Sequence, residues 1–215
     1  MDGLFSNFPQ SFRPSFAPSQ KRPSMLGIDR QQRRHDGFGR KGFKATDRLF
    51  FAVLPDSETA ARIANLAQRL RRGHGLRGKP LLTPHFHATL FHVVDCNGFP
   101  PDLIDMLAKR AATVTMPSFK VAFDRAGSFD GGAFVLRGDD GLIGLEILQQ
   151  RLSDALDGRP DQARSFTPHV TLLRDKCRID EHPIEPIEWT VKELVLVHSL
   201  LGRTTHRHVA RLPLG

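Results

Sequence analysis

The phrase His-x-Thr-Leu occurs twice in this 215-residue chain, as His87-Ala88-Thr89-Leu90 and as His169-Val170-Thr171-Leu172. On an extended strand, residues two apart share a face. Each copy would therefore present an imidazole beside a hydroxyl, while the apolar residues between and after them turn toward a core. Imidazole gains and loses a proton near neutral pH, and a hydroxyl can donate to an oxygen where negative charge develops. Two such strands set face to face supply a base, an acid and two hydrogen-bond donors. That is most of what attack on a phosphodiester requires without a metal.

A single His-x-Thr carries little information, because strands often hold both residues. The pair carries more, because the settings match: a proline shortly precedes each copy (Pro84, Pro168) and a long amphipathic segment precedes that. The apolar run 49–54, closed by Pro55, reads as a buried strand. Asp56 or Ser57 can cap a helix that turns Ala60, Ile63, Leu66, Ala67 and Leu70 inward and stops at Gly73, after Arg71 and Arg72. The pattern then predicts the first motif strand over 85–94 and a helix over 101–113. In the second half, 119–123 and 133–136 read as strands, the latter after a Gly131-Gly132 turn. A helix over 142–156 follows, its stripe completed by Leu145, Leu148 and Leu152. The second motif strand is expected over 166–173, and a hairpin of 191–200 and 205–212 around Gly202 ends the chain. Each motif strand thus follows a strand and a helix, the order an old duplication would leave.

With these residues the chain resembles the two-histidine phosphoesterases, and within them the bacterial and archaeal RNA 2′,3′-cyclic phosphodiesterases, also called 2′-5′ RNA ligases. The resemblance rests on His87-Ala88-Thr89-Leu90, on Phe166-Thr167-Pro168-His169-Val170-Thr171-Leu172-Leu173-Arg174 and on the closing run 191–199, and covers about Arg48 to Leu212. It implies an α+β fold of two pseudo-symmetric lobes, each a mainly antiparallel sheet with outer helices, around a central cleft lined by the motif strands. It also implies hydrolysis of RNA 2′,3′-cyclic phosphate ends to a 2′-phosphate, with His87 as proton donor and His169 as acceptor. It further implies reversible, ATP-independent 2′-5′ RNA ligation. The expected partner is RNA with such ends, tRNA-like or other, with no cofactor and no metal. Chemically, Thr89 and Thr171 suit the non-bridging oxygens, and Arg174 suits a phosphate through its fork of donors. Two alternatives stay open: a phosphoesterase acting on small cyclic nucleotides or 2′-5′ oligonucleotides, and a non-catalytic RNA-binding module. The family often has Tyr in its last hairpin; this chain has no Tyr and offers His206 and His208 there.

Composition bounds the rest. Hydrophobic content of 40% and charged content of 25% are ordinary for a globular protein, and no apolar run approaches membrane-spanning length. The net charge is +8, but residues 1–46 hold nine Lys/Arg against three Asp, so most of the excess lies there. Rich in Ser, Pro, Gly, Gln and Arg, that stretch reads as a disordered basic tail, with a bilobal domain over 47–215. Cys96 and Cys177 lack metal-ligand spacing and read as reduced thiols of a cytoplasmic monomer. Gly73-His-Gly75-Leu-Arg-Gly78 spells a dinucleotide fingerprint, yet it follows a helix instead of a strand and reads as a loop. His85, His87 and His92, or His206 and His208, could share a strand face, but no acidic or Cys partner stands at useful spacing for a metal.

Overall fold

The computed structural model describes residues 45–156 and 166–215. All but the last two residues of the expected basic tail lie outside the described residues. The described elements run β1 (Asp47–Val53), α1 (Ser57–Gly73), β2 (Ala88–Cys96), α2 (Pro101–Ala111), β3 (Phe119–Ser128), β4 (Ala133–Arg137), α3 (Ile143–Ala155), β5 (Val170–Arg174), β6 (His182–Val191), β7 (Glu193–Leu200) and β8 (Thr205–Pro213). All eight strands belong to one sheet of order β6-β3-β4-β5-β2-β1-β7-β8. Every pairing is antiparallel.

The sheet is two four-stranded halves meeting at a thin seam. Only the bridge Ala88↔Val170 joins β2 to β5. Around that bridge the halves correspond in order, β2-β1-β7-β8 matching β5-β4-β3-β6. The strand–helix–motif strand units β1-α1-β2 and β4-α3-β5 therefore occupy equivalent places. This is the α+β, two-lobed architecture expected from the resemblance.

Alternation explains the two faces. Leu49, Phe51 and Val53 of β1 enter the main core, while Phe50 and Ala52 join Val195 and Val197 in a smaller apolar patch on the opposite face. The main core takes Ala60, Ile63, Leu66 and Ala67 from α1 and Leu145, Leu148 and Leu152 from α3. Each of these two helices reaches the other half: α1 lies against β5 and β6, and α3 against β2 as well as β3 of its own half.

Asp56 caps α1, its carboxylate accepting from the Thr59 amide at 2.8 Å. The helix closes with the Gly75 amide donating to the Arg72 carbonyl and the Leu76 amide to the Arg71 carbonyl. Gly75 has φ +65°, the left-handed conformation this ending needs. Three residues on, the Gly78 backbone packs so closely on the Arg174 carbonyl that an added Cβ would stand 2.0 Å from the oxygen. The fingerprint-like glycines are thus a helix stop and a close packing point.

The sequence expectations need correction at two places. The motif strands begin at Ala88 and Val170, so each histidine stands one residue before its strand, and the first is preceded by a 3-10 turn, Thr83–His85. The chain end holds an additional strand: residues 182–191 form β6 at one edge of the sheet, whereas β7 pairs with β1 in the other half. Pro183 and Pro186 fit in β6 because it is an edge strand.

Candidate functional site

Both motif strands carry the same irregularity. In the β1–β2 ladder Ala52 pairs with Thr89 and Phe51 with Phe91, leaving Leu90 as the extra residue. In the β4–β5 ladder Val135 pairs with Thr171 and Phe134 with Leu173, leaving Leu172 extra. A bulge lets two consecutive residues turn to one side. Leu90 with Phe91, and Leu172 with Leu173, are accordingly all buried in the main core. The threonine and histidine upstream are left on the opposite face. Thr89 pairs with Ala52 of the smaller patch, and the His87 ring lies 5.0 Å from that of Phe50.

The two histidines are oriented alike. His87 Nδ1–H donates to the His85 carbonyl at 2.8 Å, and His169 Nδ1–H donates to the Thr167 carbonyl at 2.8 Å. A carbonyl only accepts, so Nδ1 carries the proton and Nε2 is left for proton transfer. The register of the Ala88↔Val170 bridge sets His87 across from Thr171 and Thr89 across from His169. The histidines then flank the bridge on neighbouring segments, close enough for His169 to act electrostatically on His87. Neither threonine hydroxyl hydrogen-bonds to another described residue.

The surroundings of the two rings differ. Beside His87 stand further imidazoles, with His206 5.3 Å from His87 and 4.9 Å from His85. Burial pushes the His87 pKa below its ordinary value, and the nearby His169, His85 and His208 push the same way. Burial also lowers His206, to about 4, helped by His87, His85 and His208. Beside His169 stand the Phe129 ring, edge-on at 4.9 Å, and two guanidinium groups. Burial lowers the His169 pKa first, and Arg137 and Arg174 lower it further. Arg174 ends β5 as an exposed residue within electrostatic reach of His169, so all five expected site residues belong to the two motif segments beside the seam.

Sequence reasoning missed Arg137 and Phe129. Arg137 ends β4, pairs with Glu181, and places its guanidinium 5.7 Å from the Phe129 ring centre. A pocket of about 560 Å³ opens beside the seam, bordered by Thr89, Phe91, Phe129, Gln149, Phe166 and His169 among others. Gln149 is also unforeseen, because its position on α3 reads as one more residue of a helix face. Among the described residues no group of three or more His, Cys, Asp or Glu is placed to share a metal ion. No described helix is long and apolar enough to cross a membrane.

Comparison with known proteins agrees with this geometry. The family model of the 2'-5' RNA ligase superfamily matches residues 55–203. A curated relative from Escherichia coli (strain K12), an RNA 2',3'-cyclic phosphodiesterase, is 28% identical over 167 residues, covering 75% of this chain and 92% of the relative. Escherichia coli LigT in its apo form superposes with a TM-score of 0.63 at 25% identity, covering 78% of this chain and 97% of LigT. LigT complexed with 3'-AMP gives 0.59 at 26%, with 78% and 98% covered. With its duplicated motif, its bulged strands and a family match over most of its length, the chain belongs to the 2'-5' RNA ligase superfamily, a superfamily of phosphoesterases.

Proposed function

We propose that this protein hydrolyses 2′,3′-cyclic phosphate ends of RNA to 2′-phosphates, using His87 and His169 as general acid and base. The observation that carries the proposal is the matched orientation of the two imidazoles. Each has Nδ1 held by a backbone carbonyl two residues upstream, which leaves Nε2 as the atom that moves a proton. Opening the cyclic ester requires a water to lose a proton on one side of phosphorus and the ribose O3′ to gain one on the other. Two imidazoles flanking a single phosphate meet both needs. The fixed charges of Arg137 and Arg174 disfavour a proton on His169, which suits it to be the base, and His87 then serves as donor. Thr89 and Thr171 donate to the non-bridging oxygens as charge builds there, and Arg174 clamps the phosphate. With a 5′-hydroxyl in place of water as nucleophile, the same ring opening forms P–O5′, breaks P–O3′ and passes the two protons as before, so the site also suits 2′-5′ ligation without ATP, and attack of O3′ on that linkage is its reverse.

The test is turnover of a 2′,3′-cyclic-phosphate oligonucleotide with no added metal and the product ends mapped. His87→Ala and His169→Ala are each expected to lower kcat roughly 10²–10⁴-fold, the loss typical of a general acid or base. Wild-type rates in both variants would refute the assignment.

A further inference from the structure

The histidine inside the fingerprint-like loop has no part in the cleft. His74 follows the last residue of α1, and its ring lies edge-on to that of Phe134 in the main core, with centres 6.0 Å apart. Facing it is His182, the first residue of β6 and 108 positions further along the chain. His182 pairs with Ala126, a residue of the main core, so its side chain turns to the helix side of the sheet. Its neighbour Glu181 goes to Arg125 and Arg137 instead. The two imidazoles meet with Nε2 facing Nε2 at 3.3 Å and ring centres 4.8 Å apart.

We propose that His74 and His182 form a zinc-binding site that clips α1 of one half to β6 of the other. Spacing is the first support. Zinc takes imidazole nitrogens at about 2.0–2.1 Å in a tetrahedral array, which sets two of them about 3.3–3.4 Å apart. An octahedral ion at the same bond length would need about 2.9 Å. The tautomer is the second support. His182 Nδ1–H donates to the Asp180 carbonyl at 3.0 Å, so its Nε2 turns a lone pair toward His74. One ring nitrogen held by a carbonyl and the other left bare is the usual support of a metal-bound imidazole.

Rigid anchoring is the third. The His74 amide donates to the Leu70 carbonyl at 2.9 Å, and His182 lies in the β3–β6 ladder. In the metal-free pair His74 Nε2–H donates to His182 Nε2. Taking up the ion requires only that His74, an exposed residue, carry its proton on Nδ1 instead. Among the described residues no third His, Cys, Asp or Glu is placed to join the pair, so water fills the remaining positions. With only two protein ligands, and Arg71 and Arg72 in the last turn of α1, the affinity is expected to be micromolar. The ion takes no part in the proposed reaction, because the motif histidines lie on the other face of the sheet, beside Phe50. Its effect is on stability, since a clip between residues so far apart in sequence restricts the unfolded chain.

The experiment is zinc titration of the full chain after chelator treatment, followed by calorimetry and thermal melts. The wild type should bind zinc with micromolar affinity and, at about a hundredfold excess over Kd, melt about 5–10 °C higher. His74→Ala and His182→Ala should each weaken that binding roughly tenfold or more and cancel the rise. Both variants also lose the hydrogen bond between the imidazoles, so the quantity read is the zinc-dependent rise and not the metal-free melting temperature. If His182→Ala does not fold, His182→Asn keeps a polar side chain there and is read the same way. Magnesium, which prefers oxygen ligands, should produce no rise in any of them. A wild type that neither binds zinc nor melts higher with it overturns the site. So does a zinc response that survives in either folded variant, which would place the ion among the imidazoles of the cleft.

Discussion

His87 and His169 share a backbone geometry and differ in what surrounds them, and that difference has a measurable consequence. Both rings titrate below the ordinary histidine value of 6.5, because burial disfavours the imidazolium. A base must be neutral and an acid protonated, so the productive form is most populated between the two pKa values. With both lowered, the bell of kcat/KM against pH is expected to centre below 6.5 and to fall as pH rises beyond it. The charges beside His169 give the sign of a second shift. Replacing Arg137 with Gln removes a cation that opposes protonation, so the His169 pKa should rise and its limb of the bell should move to higher pH. A profile centred near pH 8, or an unmoved limb in the Arg137→Gln variant, would contradict this account. Arg137 also shows why part of the site was hidden in the sequence. His87 and His169 are legible because their residue type and two-residue spacing to Thr are local. Arg137 reaches His169 only because β4 neighbours β5, a pairing that no local pattern announces.

The elements that hold the site depend on a few close backbone approaches. The loop after α1 docks on the end of β5: the Asp175 carboxylate accepts from the Arg77 and Gly78 amides, each at 2.6 Å, and Arg71 Nε donates to the Gly78 carbonyl at 2.9 Å. This loop fixes where Arg174 leaves the sheet. An alanine at Gly78 would press its methyl group into the Arg174 carbonyl, and backbone on both sides leaves little room to yield. Gly78→Ala is therefore expected to destabilise the protein by about 1–3 kcal/mol, as overpacking does. It should also weaken phosphate binding through displacement of Arg174. Thermal melts with and without phosphate check both effects, and a variant equal to the wild type in both would remove the loop from this role. The glycines of this loop could be seen in the sequence, but their purpose could not, because Gly78 meets a residue far along the chain. The helices and β1 were legible because amphipathic spacing and a continuous apolar run are local properties. β6 was not, since an edge strand bearing Pro183 and Pro186 looks like a turn until its pairing with β3 is known.

At the scale of the molecule, the question is whether a sheet joined by a single bridge behaves as one cooperative unit. Backbone pairing across the seam is too slight to couple the halves, so the coupling must come from the core. The buried cluster runs without a break from Leu194 and Leu196 of β7 to Val121 and Phe123 of β3, and α1 and α3 each reach the opposite half. Unfolding one half would expose the helix face that the other half buries, which favours a single transition. The sole tryptophan makes this testable, because Trp189 lies on β6 in the second half, stacked on Phe123 with ring centres 5.1 Å apart. Leu196 is fully buried in the first half. Leu196→Ala should cost about 2–5 kcal/mol through the lost side chain and the cavity it leaves. In a denaturant titration the Trp189 fluorescence midpoint should fall by the same amount as the far-ultraviolet circular dichroism midpoint. If Trp189 kept its wild-type midpoint while the dichroism moved, the halves would be independent units, and the cleft between them would have to be held together by the substrate instead of by the core.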